Sequence, residues 1–279
     1  MHFGDRDEII QLTPMWQGDR FDDGRPRVPD SILARMEKVV TEEAWGVLRK
    51  HGYNFQFEGN WTTVFPERVL VGRAVTGVFI PQRPDLHDHL MEVGLNQEDR
   101  HGAMNSWVIH TAVRDDVLVI DLFGKIFEGT YAGANLSTAI ATRTHRGMVV
   151  YGGIRDLQQI LEMADLAVFC KGIDPTAIRD VTLVGLNVPC RIGNATCLPG
   201  DVVLGTVTGV LFIPPHLAEE AVEHSERIRL RELFSHGRLR EGVYSASQMD
   251  TQWTPEIDAD FAMWRKTHTP EDLQHLRWE

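Results

Sequence analysis

The chain has 279 residues, 43% of them hydrophobic and 24% charged, the balance of a soluble globular protein rather than a disordered one. With 28 Lys and Arg against 40 Asp and Glu, the net charge is −12, which argues against a binder of nucleic-acid backbone. Three cysteines, Cys170, Cys190 and Cys197, are too few for a disulfide framework and form no CxxC pair; they read as buried apolar side chains.

Residues 1–30 are polar and carry Gly18, Gly24, Pro26 and Pro29. They read as an extended arm, laid over the surface or onto a neighbouring subunit. The acidic N-terminus lacks the basic and apolar regions of a signal peptide. Apolar runs are far shorter than the ~20 residues of a membrane helix. A cytoplasmic protein with neither a nucleic-acid nor a membrane partner is expected.

A helix is expected after Pro29, with Asp30 or Ser31 as cap, because Ile32, Leu33, Met36, Val39 and Val40 recur at helical spacing. A second covers roughly 41–50 and stops at Gly52. Residues 69–80 are β-branched and apolar and predict a buried strand or hairpin; 85–94 predict a helix. A regular alternation follows. Strand 117–122 leads through a Gly-rich loop, 124–133, into helix 136–144, which Gly147 ends. Strand 148–151 leads through Gly152 and Gly153 into helix 157–164, and strand 166–169 follows. Two successive strand–loop–helix units imply parallel strands with right-handed crossovers. Residues 181–186, 188–192, 195–198, 201–204 and 210–213 read as short antiparallel strands. Residues 214–234 predict a strong helix. The polar tail, 235–279, holds Trp253, Trp264 and Trp278, and is expected to dock on the core or on a neighbouring subunit. The α/β domain proper is thus expected over 31–234.

Two loops carry candidate chemistry. Gly133-Ala134-Asn135-Leu136 closes the first, at a helix N-terminus whose free N–H groups and dipole suit an anion. The bland alternative is a glycine turn with Asn135 as N-cap. Gly152-Gly153-Ile154-Arg155-Asp156 closes the second. Arg155 offers a planar fork for a carboxylate, and Asp156 a hard oxygen for Mg²⁺. Here the alternative is a capping box of Asp156 with Gln159. In parallel α/β structure successive βα loops emerge at the same strand ends. The two loops could therefore share one pocket for a small carboxylate substrate and a divalent metal.

The run VLVIDLFGKIFEGTYAGANLSTAIATRTHRGMVVYGGIRDLQQI, residues 117–160, resembles the core of the RraA-like family. That family contains the class II 4-hydroxy-4-methyl-2-oxoglutarate/4-carboxy-4-hydroxy-2-oxoadipate aldolases and the regulators of ribonuclease E activity. Its pattern sets a G-x-N-L loop about twenty residues before a G-x-x-R-D loop; Asn135 and Arg155 are 20 apart. PGDVVLGTVTGVLFIPPHLAE, residues 199–219, resembles its P-G-D…G-V…I-P ending. The arm and tail mark an extended branch.

The resemblance implies an α/β protein of the swivelling β/β/α fold, a homotrimer or homohexamer with its site at a subunit interface, and Mg²⁺ or Mn²⁺ as cofactor. It implies that the amides of Gly133, Ala134, Asn135 and Leu136, with Arg155, hold a pyruvate-like carboxylate, that Asp156 anchors the metal, and that Arg179 approaches the site. Ala134 stands where the aldolases usually carry an acidic residue, which leaves the general base open. The implied activity is a metal-dependent lyase, a retro-aldol cleavage of a 2-oxo acid releasing pyruvate, with oxaloacetate decarboxylation at the same site. A non-catalytic protein-binding regulator and a sugar-acid dehydratase or isomerase remain alternatives.

Other residues are weaker candidates. Lys125 and Lys171 lie near the loops but read as salt-bridge or surface residues rather than Schiff-base nucleophiles. His87 and His89 read as part of a solvated turn. The aromatic and amide-rich stretch 53–61, with Arg83, Asn105, Ser106 and Trp107, could shape a polar substrate pocket or pack on the core.

Overall fold

The computed structural model describes residues 4–163 and 166–278. In the arm, helix α1 (Arg6–Leu12) is capped by Asp5, whose Oδ1 accepts from the N–H groups of Asp7 and Glu8 at 2.9 and 3.0 Å. Then come α2 (Asp30–Met36), α3 (Thr41–Lys50), two short strands β1 (Phe57–Glu58) and β2 (Thr62–Thr63), and the long β3 (Leu70–Pro81). Helices α4 (Pro84–Asn96) and α5 (Met104–Thr111) lead to β4 (Asp116–Asp121), α6 (Ala134–Thr144), β5 (Gly147–Ile154), α7 (Leu157–Ile160) and β6 (Ala167–Ile173). The antiparallel part is β7 (Val181–Leu186), β8 (Cys190–Ile192), β9 (Ala195–Cys197), β10 (Val202–Thr206) and β11 (Gly209–Ile213). A 3-10 turn (Pro215–Leu217) opens into α8 (Ala218–Arg240), followed by α9 (Ala246–Met249) and α10 (Pro255–His268).

Among the described residues nine strands form one mixed sheet, with β8 and β9 a separate hairpin. Strands β3, β4, β5 and β6 are parallel, as the alternation of strands and helices requires. Both faces are covered, so these strands are apolar throughout. Along β4, Leu118 and Ile120 enter a core beneath α5 and α6, while Val117 and Val119 face the β8–β9 hairpin. Strand β3 is long enough to serve two antiparallel neighbours. Its first half pairs with β10 and its second with β7, with a register shift at Val78/Phe79. It is one strand, not a hairpin.

Several local expectations change. Helix α2 is not capped by Asp30 or Ser31; Pro29 stands at the cap, and Asp30 instead pairs with the buried Arg73. Gly147 does not end α6. His145, at φ 54°, does, and Gly147 opens β5. Gly152 and Gly153 are strand residues rather than a loop. The stretch 130–132 runs alongside Gly153, where a Cβ would meet the Ile126 carbonyl. The helix expected over 157–164 is the single turn α7, and Ala164 lies outside the described residues. His87 and His89 stand in α4, not in a turn, and His87 Nδ1 lies 3.0 Å from Thr182 Oγ1. The last long helix runs on to Arg240.

The arm lies on its own chain. Arg25 is buried and bonds both oxygens of buried Asp116, at 3.0 and 3.1 Å. The tail packs on the end of α8, where Phe234 meets the rings of Trp253, Phe261 and Trp264 at 5.3–5.7 Å. No helix among the described residues is long and apolar enough to cross a membrane. All three cysteines are buried free thiols.

Candidate functional site

Two extended segments bring the two βα loops together. Thr130 bridges to Gly153, Tyr131 N–H donates to Gly153 O at 2.8 Å, and Arg155 N–H donates to Ala132 O at 3.0 Å. The first loop therefore enters α6 directly beside the residues that leave β5. Asn105 braces this path: its Nδ2 donates to Tyr131 O at 3.0 Å, and Tyr131 OH donates back to Asn105 O at 2.9 Å. Both groups are buried, so each needs its partner.

Gly133 is the N-cap of α6, in place of the expected Asn135. Its backbone is extended (φ −108°, ψ −165°), a conformation open to any residue. What demands glycine is the neighbour: a Cβ here would overlap the Asp156 carboxylate and press on the Arg155 side chain. Asp156 is itself left-handed, at φ 59°, an uncommon conformation for a side-chain-bearing residue and one found often at functional sites.

Asp156 makes no cap bond to α7, so the expected capping box with Gln159 is absent. Its Oδ2 instead accepts from Ala134 N–H, the first N–H of α6, at 3.0 Å. The negative charge thus sits at the positive end of that helix. Arg155 Nε stands 4.0 Å from the same oxygen, and the two side chains are 40% and 35% exposed. The amides of Asn135 and Leu136, second and third in the helix, lie in the turn whose N–H groups have no partner within a helix. Gly133, Ala134, Asn135, Leu136, Arg155 and Asp156 thus share one partly open corner.

Arg179 does not join this corner through any hydrogen bond or ion pair among the described residues. Its backbone N–H donates to Glu128 O at 2.9 Å, and its 70% exposed guanidinium lies 3.8 Å from Glu128 Oε1. Lys125 Nζ donates to Arg179 O at 2.6 Å. Lys171 is held by Glu58 Oε1 at 3.0 Å and Gly59 O at 2.8 Å, and its ammonium lies 4.1 Å from the centre of the Trp61 ring. Neither lysine is the isolated, desolvated amine that Schiff-base chemistry needs.

The aromatic stretch 53–61 does not gather with Arg83, Asn105 and Trp107. Arg83 forks onto exposed Asp85, and Trp107 is fully buried in the core. Trp61 packs edge-on to Tyr151 and Phe169. Sequence reasoning missed the structural service of Asn105, whose signal is only an amide in an apolar helix.

Among the described residues no group of three His, Cys, Asp or Glu side chains could hold a metal ion. The corner nevertheless fits a weakly held hard cation. Asp156 Oδ2 is committed to Ala134, but the carboxylate is partly open to solvent, and Mg²⁺ commonly keeps most of its waters beside one or two carboxylates.

The RraA-like family model (Aldolase/RraA) matches residues 38–212. "Protein DlpA" of Legionella pneumophila is 30% identical over 151 residues, covering 54% of this chain and 23% of that protein. A Halalkalibacterium halodurans protein named "Putative 4-hydroxy-4-methyl-2-oxoglutarate aldolase" is 29% identical over 119 residues, 43% of this chain and 56% of that one. The chain thus spans less than two thirds of the length of either curated relative. Among solved structures, Streptomyces coelicolor RraAS2, described as an unusual member of the RNase ES inhibitor RraA protein family, superposes with a TM-score of 0.62 at 23% identity. The match covers 76% of this chain and 98% of that one, and shows the fold. With the G-x-N-L and G-x-x-R-D loops joined at one corner of that fold, this chain belongs to the RraA-like family, which holds both aldolases and RraA proteins.

Proposed function

We propose that the protein is a divalent-metal-dependent lyase acting on a 2-oxo acid, by retro-aldol cleavage that releases pyruvate. The observation that carries this reading is the Asp156–Ala134 contact. It brings a carboxylate and a guanidinium to the start of α6, at one corner. The Asn135 and Leu136 N–H groups and the Arg155 fork would orient the substrate carboxylate. Arg155 would also meet the charge that grows on the keto oxygen as the C3–C4 bond breaks. Asp156 would hold the ion, Mg²⁺ or Mn²⁺, which when bound supplies Lewis acidity to the 2-oxo group. Ala134 supplies no base, so the C4 hydroxyl proton must leave to water or to a residue brought by a second subunit of a trimer or hexamer. Arg179 would serve only if substrate reaches toward Glu128.

A second reading is a non-catalytic binding protein of the RraA kind. The alanine at 134, which supplies no base, favours it. A dehydratase or isomerase of sugar acids would use the same corner.

Pyruvate formation from oxaloacetate, measured with Mg²⁺ or Mn²⁺ and again with EDTA, separates the first two. EDTA-sensitive turnover above the metal-only background supports the lyase. No turnover with either metal sinks it and favours the binding protein.

A further inference from the structure

A cavity of about 320 Å³ lies away from the Asp156 corner. Residues 12–16 of the arm wall one side with Leu12, Pro14 and Trp16. Tyr53, His216 and Asp201 also line the cavity. The main-chain oxygen of Asp201 accepts from Ala74 N–H at 2.8 Å, near the N-terminal start of the parallel pairing between β3 and β4. Arg155 and Asp156 follow the C-terminal end of β5, so the two sites lie toward opposite ends of the parallel strands.

The polar lining of this cavity is Thr13, Tyr53, Gln56, Thr196, Asp201 and His216, and the Gln56 amide Nε2 is spent on the main-chain oxygens of Thr196 and Phe212, at 3.2 and 2.9 Å. Asp201 is 2% exposed. Its Oδ2 accepts from Leu198 N–H at 2.8 Å, and no described side chain bonds the other oxygen. Burial pushes its carboxyl up to about 8, against a pull from that N–H, so near neutrality it carries a proton and can donate. His216 Nε2 meets Tyr53 OH at 3.2 Å, and burial and then the nearby His51 lower its pKa, which keeps it neutral. The thiol of Cys197 on β9, beside Cys190 on β8, feels the charge of Asp201 but donates to Leu198 O at 3.6 Å, and burial holds that thiol protonated. The arm adds no titratable group between Leu12 and Trp16, and no Lys or Arg lines the cavity.

We propose that this cavity, walled in part by residues 12–16, is a binding site for a small, uncharged, largely apolar molecule with a carbonyl acceptor, which takes a hydrogen bond from Asp201. The apolar walls and few convergent polar groups are those of a ligand pocket of this size. A carboxylate ligand would find no cation there. A ligand carbonyl would give the Asp201 hydroxyl an acceptor within the cavity.

The test is ligand-observed NMR titration of the full chain with acetophenone, ethylbenzene and benzoate, well below and well above the Asp201 pKa of about 8. Below it, acetophenone should bind about fivefold more tightly than ethylbenzene, the worth of one neutral hydrogen bond. Above it, that margin should vanish, because an ionised carboxylate cannot donate. Asp201→Asn keeps a donor in the same shape and should hold the margin at both pH values. Thr196→Trp, at an exposed strand position on the cavity wall, should abolish binding of both neutral probes, and benzoate should not bind at all. Absence of saturable binding, equal affinity for acetophenone and ethylbenzene, or loss of the margin in Asp201→Asn at low pH would each overturn the proposal.

Discussion

The Asp156 carboxylate accepts a hydrogen bond from the Ala134 backbone N–H at 3.0 Å, across 22 residues of sequence. One contact therefore does two things. It caps α6 from outside that helix, and it fixes the acid of one loop against the first turn of α6 that closes the other.

Asp156→Asn separates these roles. Its amide oxygen can still accept from Ala134, so the melting temperature should change little. Metal-dependent turnover should fall by about a hundredfold or more, since the charge is gone. Asp156→Ala should lose both, with a stability cost of about 1 kcal/mol for the missing cap. Thermal melts beside oxaloacetate assays read the two outcomes. Activity retained in the asparagine variant would leave Asp156 a capping residue alone.

Gly133→Ala should be far more harmful than its extended backbone suggests. The added methyl meets the Asp156 carboxylate and the Arg155 side chain, so about 1–3 kcal/mol of stability should be lost together with activity. A control at Gly46, where nothing lies within 4 Å of a Cβ, should cost neither. Denaturant titration of both variants checks this.

Arg25→Ala should be among the most destabilising changes in the arm. It strands the fully buried Asp116 carboxylate without its bidentate partner, a loss of about 3–5 kcal/mol. Urea unfolding measures the cost, and limited proteolysis should show the arm released first.

Asp201 gives stability a pH dependence of definite sign. The unfolded carboxyl releases its proton near 3.8, the folded one only at about 8. Between those values the folded state binds the extra proton, so this group's contribution to stability falls as pH rises and is lost by about pH 8. Asp201→Asn should flatten that part of the profile and raise the melting temperature most at alkaline pH. Melts across the range decide it.

Phe234 holds the tail to α8 through Trp253, Phe261 and Trp264. Phe234→Ala should cost about 3–5 kcal/mol in that cluster and speed proteolysis after residue 240, while leaving the corner at Asp156 assembled. Protease mapping alongside the oxaloacetate assay tests whether the two regions are independent.

Much of the framework was legible in sequence because local patterns report burial. The runs 117–122 and 148–151, each followed by glycine and a helical stretch, could only be parallel strands, and the structure has them so. The site residues of the two loops were legible by type and spacing, but their partners were not. Asp156 with Gln159 satisfies the pattern of a capping box, yet the left-handed backbone at 156 turns the carboxylate toward Ala134 instead. Gly152 and Gly153 look like a loop because two glycines usually are one; here the loop before α6 lies so close to β5 that the strand has no room for side chains.

By itself, then, the amino-acid sequence determined the alternation of strands and helices, the apolar faces and the family motifs, all of which depend on neighbours a few residues apart. Only the tertiary structure decided which acid meets which amide, how β3 divides between β10 and β7, and where the arm and Asp201 come to line one cavity. Those are contacts between residues tens of positions apart. They are set by closure of the sheet and by the need of each buried polar group for a partner, and no local periodicity encodes either.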